Sequence, residues 1–213
     1  MTTPSIIFDL DGTLWDSTHR IRDIWNAVIE RETGAPSHLT REDICGIMGK
    51  TMEDIAAAIF PHRSLSERTR LMDLCGRAEN EQLRKTGAIL YEGLEETLKT
   101  LSADYKLFIV SNCQDGYVDA FLEAHKLTEY FSDIEMYGRT GMPKWDNIRL
   151  LMERNSLTTA VYVGDTAGDQ KAAKLAGIPF IHAAYGFGTV SDPDGVIRHF
   201  PDLPTVMRQF SNT

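Results

Sequence analysis

The sequence predicts an α/β protein, a doubly wound parallel sheet with helices on both faces, to which a small α-helical domain is attached. Short apolar runs rich in valine, isoleucine and aromatic residues alternate with stretches whose apolar residues recur at helical spacing, which is typical of parallel strands joined by helices. The interval from residue 16 to residue 90 departs from this alternation, because it contains helical patterns and no convincing strand. We therefore expect an α/β core of residues 1–15 and 91–213 and a helical cap domain of residues 16–90.

Five apolar runs are the predicted strands of the sheet. Ser5–Phe8 comes first, and the others lie at residues 106–110, 133–137, 160–163 and 178–181. Short uninterrupted apolar runs of this kind are typical of strands that are buried on both faces. Helical patterns separate the strands at residues 93–101, 118–122 and 148–152, and the turn-rich tail from residue 191 to residue 213 predicts a short final helix.

Composition excludes several classes of protein. The net charge is −9 and no basic run interrupts the sequence, which argues against nucleic-acid binding through phosphate neutralisation. The three cysteines, Cys45, Cys75 and Cys113, form no Cys-x-x-Cys pair, so neither a disulfide framework nor a zinc site is indicated. No apolar run reaches the roughly 18–20 residues of a membrane span, and residues 1–4 lead directly into the first strand without a leader-like segment. We expect a cytoplasmic protein.

Two aspartates stand at the carboxyl end of the first predicted strand. Because side chains alternate along a strand, Asp9 and Asp11 are expected to point to the same side. Two carboxylates about 4 Å apart repel each other by ~1 kcal/mol in water and by ~4 kcal/mol at an effective dielectric constant near 20. A divalent cation would offset this repulsion.

Further polar residues follow other predicted strands. Ser111 and Asn112 end the second strand, and Asp165 follows the fourth, with Asp169 four residues later. Lys144 lies at the start of a predicted helix between them. Open α/β sheets bind ligands at the carboxyl ends of their strands, so these side chains are expected to converge. Taken singly, Asp165 is equally consistent with a helix N-cap and Lys144 with a solvent-facing lysine.

In order and approximate spacing, these residues resemble the four motifs of the haloacid dehalogenase superfamily: Asp9-Leu10-Asp11-Gly12-Thr13, Ser111-Asn112, Lys144 and Gly164-Asp165-x-x-x-Asp169. The sequence is similar to the phosphatase branch, which implies a Rossmann-like core with a helical cap inserted after the first motif. Within that branch it resembles phosphoglycolate-phosphatase-like proteins, on the evidence of Asp16-Ser17, Val163-Gly164-Asp165-Thr166 and Tyr185-Gly186-Phe187-Gly188.

The resemblance implies a role for each motif residue. Asp9 would be the nucleophile that forms an aspartyl-phosphate, and Asp11 would be the general acid and base. The Ser111 hydroxyl, the Asn112 backbone N–H and the Lys144 ammonium would neutralise the phosphate oxygens.

The resemblance also implies a metal. Mg²⁺ would be held by Asp9, the backbone carbonyl of Asp11 and Asp165, with Asp169 binding directly or through water. A free aspartate is almost entirely ionised at pH 7. We therefore expect the like charges of Asp9, Asp165 and Asp169 to raise the pKa of Asp11.

Other activities of the same superfamily are weighed against hydrolysis of a small phosphate monoester. Dehalogenation needs no proton donor, so the presence of Asp11 disfavours it. A phosphomutase of the β-phosphoglucomutase type carries an arginine in the cap segment comparable to residues 46–51, where this sequence has none. A pyrophosphatase and a catalytically silent binding protein on the same fold are the remaining alternatives.

The cap is expected to select the substrate. Gly49 and Lys50 are predicted to meet it, with Lys50 either contacting a second anionic group or remaining solvated. Trp15 and Trp25 are expected to pack between core and cap. The predicted partner is a small phosphorylated metabolite, with no nucleic acid or membrane involved. Phosphoglycolate, a sugar phosphate, a nucleotide and pyrophosphate all stay open as substrates, as do a monomeric and a homodimeric state.

Overall fold

The computed structural model describes residues 5–210. The strands are β1 (Ser5–Phe8), β2 (Trp15–Asp16), β3 (Ile89–Leu90), β4 (Leu107–Ser111), β5 (Phe131–Met136), β6 (Ala160–Gly164), β7 (Phe180–Ala183) and β8 (Gly195–Ile197). The helices are α1 (Thr18–Thr33), α2 (Arg41–Cys45), α3 (Met52–Ile59), α4 (Leu65–Thr86), α5 (Leu94–Ser102), α6 (Tyr117–His125), α7 (Tyr137–Thr140), α8 (Lys144–Arg154), α9 (Ala167–Ala176) and α10 (Leu203–Met207).

Six strands form one parallel sheet in the order β5-β4-β1-β6-β7-β8. The chain runs outward from β1 in one direction through β4 and β5, and then in the other direction through β6, β7 and β8. The strand order therefore reverses beside β1, the place where doubly wound sheets form their ligand crevice. The predicted fold class is confirmed.

The two faces of the sheet are covered by different helices. Side chains alternate along β1, so Ile6 and Phe8 pack in one apolar cluster with α5, α6 and α10. Ile7 packs in a second cluster on the opposite face, together with apolar residues of α8 and α9. Burial on both faces explains why β1, β4 and β6 are continuous apolar runs in the sequence.

The segment between β2 and β3 is helical and has an apolar cluster of its own. This cluster includes Trp25 and Val28 from α1, Ile55 from α3 and Met72 from α4. Side chains of Thr40, Thr51 and Ser64 cap the starts of α2, α3 and α4, which satisfies backbone N–H groups that a helix leaves unpaired. A separate cluster supports the predicted cap of residues 16–90, whose boundaries as a domain stay a prediction.

Three short strands were not predicted. Trp15–Asp16 and Ile89–Leu90 pair as an antiparallel ribbon where the chain enters and leaves the helical segment, although that interval was expected to contain no strand. Gly195–Ile197 adds a sixth strand to the sheet within the tail predicted to be turn-rich. Strands of two or three residues are too short to show any periodicity in a sequence.

Other element boundaries differ by one or two residues. The strand predicted at residues 133–137 spans Phe131–Met136, and Tyr137 begins α7 instead. The strand predicted at residues 178–181 begins two residues later, after Pro179. The three cysteines are free, as predicted. Among the described residues, no helix has the length and apolar character needed to cross a membrane. Residues 1–4, expected to contain no leader, lie outside the described residues.

Candidate active site

Three carboxylates lie together at the carboxyl edge of the sheet. Asp9 directly follows β1, Asp165 directly follows β6, and Asp169 lies in the first turn of α9. All three are buried, and each offers an oxygen within 4.8 Å of those of the other two. The parallel pairing of β1 with β6 brings the first two together. This is the convergence that the strand pattern predicted.

Lys144 enters the same cluster from the first residue of α8. Its ammonium nitrogen lies 2.8 Å from Asp9 Oδ1 and 2.6 Å from Asp169 Oδ1, and its side chain is 4 % exposed. The alternative of a solvent-facing lysine is therefore wrong. Burial by itself lowers the pKa of Lys144, but the charges of Asp169 and Asp9 outweigh burial and hold this pKa well above its ordinary value.

Burial keeps the carboxylates from ionising easily. It raises the pKa of Asp9 to about 7, with Lys144 opposing the rise and Asp169 adding to it. It also raises the pKa of Asp165 to about 8, with further contributions from the charges of Asp169 and Asp9. A cation bound among the three would favour their ionised forms.

The donor set fits a hard divalent cation such as Mg²⁺. Asp165 Oδ2 accepts a hydrogen bond of 2.7 Å from the Phe187 backbone N–H, whereas its buried Oδ1 has no hydrogen-bond partner. A buried carboxylate oxygen without a partner is rare in folded proteins, and a metal ligand is one explanation for it. All the side chains offered are oxygen donors, which suits Mg²⁺.

Asp169 has both carboxylate oxygens engaged by the protein. Oδ1 contacts Lys144, and Oδ2 accepts from the Thr166 backbone N–H at 3.0 Å and from the Thr166 hydroxyl at 2.6 Å. The N-cap of α9 is therefore Thr166, and the alternative of Asp165 as a helix N-cap is wrong.

Two glycines lie against the carboxylate of Asp165. Gly12 has φ +80°, in the left-handed region, and a Cβ atom at this position would overlap the Asp165 carboxylate and contact Phe187. A Cβ atom at Gly186 would overlap Asp165 and the Gly12 carbonyl oxygen. The position of this carboxylate therefore depends on two residues that lack side chains.

The Asp11 side chain is hydrogen-bonded to residues at the start of the helical segment and to Tyr117 of α6. Its Oδ1 accepts hydrogen bonds from Trp15 Nε1 at 2.8 Å, from the Ser17 hydroxyl and from the Tyr117 hydroxyl at 2.9 Å. One carboxylate oxygen is therefore held by three donors.

The pKa of Asp11 rises to about 6, but for a different reason from the one expected. Burial is the largest cause, and the hydrogen bonds from Ser17, Tyr117 and Trp15 oppose it. The like charge that contributes most is that of Asp16. The expected rise is present, but its main cause is burial and not crowding by Asp9, Asp165 and Asp169. The charge of Asp11 in turn contributes to the raised pKa of Asp9.

Ser111 is the last residue of β4, beside β1, and Asn112 follows it. Ser111 is buried, and the Asn112 side-chain amide donates a hydrogen bond of 2.8 Å to the carbonyl oxygen of Gly49 in the helical segment. Asn112 Oδ1 is buried without a hydrogen-bond partner. The sequence predicted a role for the backbone N–H of Asn112 but not this contact between β4 and residue 49.

A cleft lies between the carboxyl edge of the sheet and the helical segment. The sheet side contributes Asp9, Asp11, Ser111 and Asn112. The helical segment contributes Gly49 and Lys50, as predicted, and residues that sequence reasoning did not select, among them Ile21, Trp25, Met52 and Glu79. Trp15 and Trp25 are both buried, Trp15 against Tyr117 and Phe121, and Trp25 within the helical segment.

Glu79 was missed because α4 is polar in sequence. A weak signal is present in the sequence. Met72 lies seven residues before Glu79, Cys75 four residues before it and Leu83 four residues after it. This is the spacing of one helix face, and all three are buried. A glutamate on the apolar face of a helix is the feature that would have identified it.

Comparison with known proteins identifies the class to which this fold and site belong. A family model described as haloacid dehalogenase-like hydrolase matches residues 6–183. The chain belongs to this family.

Two relatives that match this chain over nearly their whole length are phosphoglycolate phosphatases. A phosphoglycolate phosphatase of Vibrio vulnificus is 32% identical over 223 residues, covering 95% of each chain. One of Photobacterium profundum is 29% identical over 224 residues with the same coverage. These relatives confirm the predicted enzyme class, a phosphatase of this family.

Solved structures agree in fold. The crystal structure of a predicted phosphoglycolate phosphatase from Haemophilus somnus has a TM-score of 0.83 at 22% identity, covering 97% of this chain and 99% of that one. A haloacid dehalogenase-like family hydrolase from Streptococcus pneumoniae has a TM-score of 0.81 at 22% identity, covering 96% of this chain and 99% of that one.

Proposed function

We propose that the protein is a Mg²⁺-dependent phosphohydrolase that cleaves a small phosphate monoester through an aspartyl-phosphate. The observation that carries this proposal is the buried cluster of Asp9, Lys144, Asp165 and Asp169 beside the cleft. A cluster with three acids and one base has no evident structural purpose, because burying charges that are incompletely paired is unfavourable.

Mg²⁺ would be held by the carboxylates of Asp9 and Asp165 and by the backbone carbonyl of Asp11. Asp169 would bind through water, which is supported by the engagement of both its oxygens with Lys144 and Thr166. When bound, the ion would neutralise charge on the transferring phosphoryl group.

Asp9 would act as the nucleophile. Its carboxylate oxygen forms a bond to phosphorus while the bond from phosphorus to the ester oxygen breaks. The ion pair with Lys144 favours the ionised form that this attack requires. The Ser111 hydroxyl, the Asn112 backbone N–H and the Lys144 ammonium would neutralise the phosphate oxygens.

Asp11 would move the proton in both half-reactions. In its protonated form it donates to the departing ester oxygen, and as a carboxylate it then accepts a proton from the water that attacks the aspartyl-phosphate. Inorganic phosphate is released and Asp9 is regenerated. A pKa of about 6 suits both roles, because each form is accessible near neutral pH.

The cap segment favours hydrolysis over phosphomutase activity. Residues 46–51 contain no arginine, which argues against a mutase of the β-phosphoglucomutase type. We further propose a cytoplasmic location, which three free cysteines support. The net charge of −9 supports a small metabolite as substrate in preference to nucleic acid.

Metal-dependent turnover tests the proposal. Purified protein should hydrolyse p-nitrophenyl phosphate with Mg²⁺, lose this activity in EDTA and regain it when Mg²⁺ is added back. Phosphate release would be measured over a panel of phosphorylated metabolites as well. A protein that binds Mg²⁺ but turns over none of these esters would be a binding protein on the same fold.

A further inference from the structure

The cleft contains an acidic side chain that the proposed chemistry does not use. Glu79 lies on α4, opposite the carboxyl edge of the sheet, and is 2 % exposed. Its Oε2 accepts a hydrogen bond of 2.7 Å from Trp25 Nε1, and the nearby side chain of Gln114 also lowers its pKa. Both partners are neutral.

No cation accompanies Glu79. Among the ion pairs of the described residues, none involves this carboxyl group. Lys50 is the one basic residue among the described residues that line the cleft, and its side chain is exposed. Apart from Lys50, the helical side of the cleft is otherwise apolar, with Ile21, Met52 and Ile55 in the lining. The like charge that acts on Glu79 is that of Asp11, which adds to the rise of its pKa.

These surroundings determine which groups a substrate could place there. Burial raises the pKa of Glu79 to about 8, so its neutral form predominates at pH 7. A neutral carboxylic acid donates a hydrogen bond to a hydroxyl oxygen, and an ionised one pairs with an ammonium group. A second carboxylate would lose its hydration there, and no buried cation lies beside Glu79 to replace the lost water.

We propose that Glu79 is a specificity-determining residue that selects phosphate monoesters whose alcohol carries a hydroxyl or an amine and disfavours those whose alcohol carries a carboxylate. This inference rests on the proposed phosphatase function and concerns the leaving group of that same site. It separates this protein from the activity named for its relatives, since phosphoglycolate has an anionic leaving group.

Three esters of nearly equal size test the inference. Phosphoglycolate, 2-hydroxyethyl phosphate and O-phosphoethanolamine differ mainly in a terminal carboxylate, hydroxyl or ammonium group. We expect kcat/KM for at least one of the latter two to exceed that for phosphoglycolate by about tenfold or more, because no buried cation replaces the water that the carboxylate of phosphoglycolate loses in the cleft.

The matched variant is Glu79→Gln, which keeps the size of the side chain and an acceptor for Trp25. It should reduce the preference for O-phosphoethanolamine over phosphoglycolate by about fivefold or more, since an amide cannot ionise to pair with an ammonium group. Glu81→Gln is the control, because it makes the same change on the same helix at an exposed position. This control should leave both the preference and the turnover of p-nitrophenyl phosphate unchanged.

Binding separates failure of this inference from failure of the proposed function. Calorimetric titration of the three esters into the Asp9→Asn protein, with and without Glu79→Gln, ranks them without any turnover. Tighter binding of the hydroxyl or amine ester supports the inference even if no ester is hydrolysed. Preference for phosphoglycolate, or a ranking that Glu79→Gln does not change, overturns it even if the enzyme is an active phosphatase.

Discussion

The two walls of the cleft are built differently. The wall formed by the sheet edge carries Asp9, Asp11 and Ser111 at the carboxyl ends of two strands. Asp165 and Lys144 lie in the buried cluster that includes Asp9. The wall formed by the helical segment is mainly apolar and carries one buried acid without a charged partner, Glu79.

The difference follows from what each wall is proposed to do. A phosphoryl group always has the same charge and shape, so fixed charges at fixed strand ends suit it. A leaving group is recognised by size, polarity and charge, for which an adaptable helical surface with few polar groups is sufficient. We therefore expect substitutions on the sheet wall to affect every ester, and substitutions on the helical wall to affect some esters more than others.

Asp9→Asn provides the strongest test of the sheet wall. An amide is not a nucleophile towards phosphorus, so turnover of every ester should fall by more than about 10³-fold. Steady-state phosphate release would measure this loss. Asp104→Asn makes the same change at an exposed position outside the helical segment, and this variant should retain full activity. Appreciable residual activity in Asp9→Asn would mean that the nucleophile is another residue.

Asp165→Asn should act through the metal. Removing one charge from the site should raise the Mg²⁺ concentration for half-maximal activity by about 100-fold, comparable to the effect of removing one partner of a buried ion pair. The increase should be the same for all esters, because the metal contacts the phosphoryl group in each. An unchanged Mg²⁺ requirement would exclude Asp165 as a ligand.

Tyr117→Phe tests the sheet wall through the pH dependence of the enzyme's activity. The Tyr117 hydroxyl lowers the pKa of Asp11, so its loss should raise that pKa above 6 by about one unit. Activity that requires protonated Asp11 declines as pH rises through this pKa, and the decline should therefore shift to higher pH.

The shift would be read from kcat/KM between pH 5 and 9 with p-nitrophenyl phosphate. Tyr130→Phe, on the turn before β5, serves as the control and should not move the profile. A profile unaffected by Tyr117→Phe would show that Asp11 is not the group whose protonation limits the rate.

Lys50→Met should give the smallest effect and tests the helical wall. Lys50 lines the cleft but is exposed, so water and salt screen its charge. We expect kcat/KM for phosphoglycolate to fall by no more than about fivefold, with little change for 2-hydroxyethyl phosphate. A much larger loss restricted to phosphoglycolate would mean that Lys50 binds a second anionic group, and would contradict the role proposed for Glu79.

The same contrast determines what the sequence could predict. The fold was predictable because strands buried on both faces are continuous apolar runs, and because their carboxyl ends share one edge of the sheet. That pattern alone predicts that Asp9 and Asp165 lie together. Lys144 required the resemblance to a known family, since a lone lysine at a helix start is ordinarily solvent-facing.

The remaining features depend on tertiary contacts that no local pattern encodes. Two of the short strands form only because the chain enters and leaves the helical segment at adjacent places. These strands are Trp15–Asp16 and Ile89–Leu90. The hydrogen bond from the Tyr117 hydroxyl to Asp11 joins residues that are 106 positions apart in the sequence. Glu79 lies in a polar helix, and its burial depends on α1 packing against α4 and on Trp25 reaching its carboxyl group.

The two glycines beside Asp165 have a consequence for mutational scanning. A survey that replaces side chains by alanine ranks residues by what is removed, and at glycine it adds a methyl group instead. At Gly12 and Gly186 that methyl group would occupy the space of the Asp165 carboxylate. Alanine variants at these two positions would lose activity as if a metal ligand had been removed, although neither glycine has a functional group. Their inactivity would result from displacement of the Asp165 carboxylate.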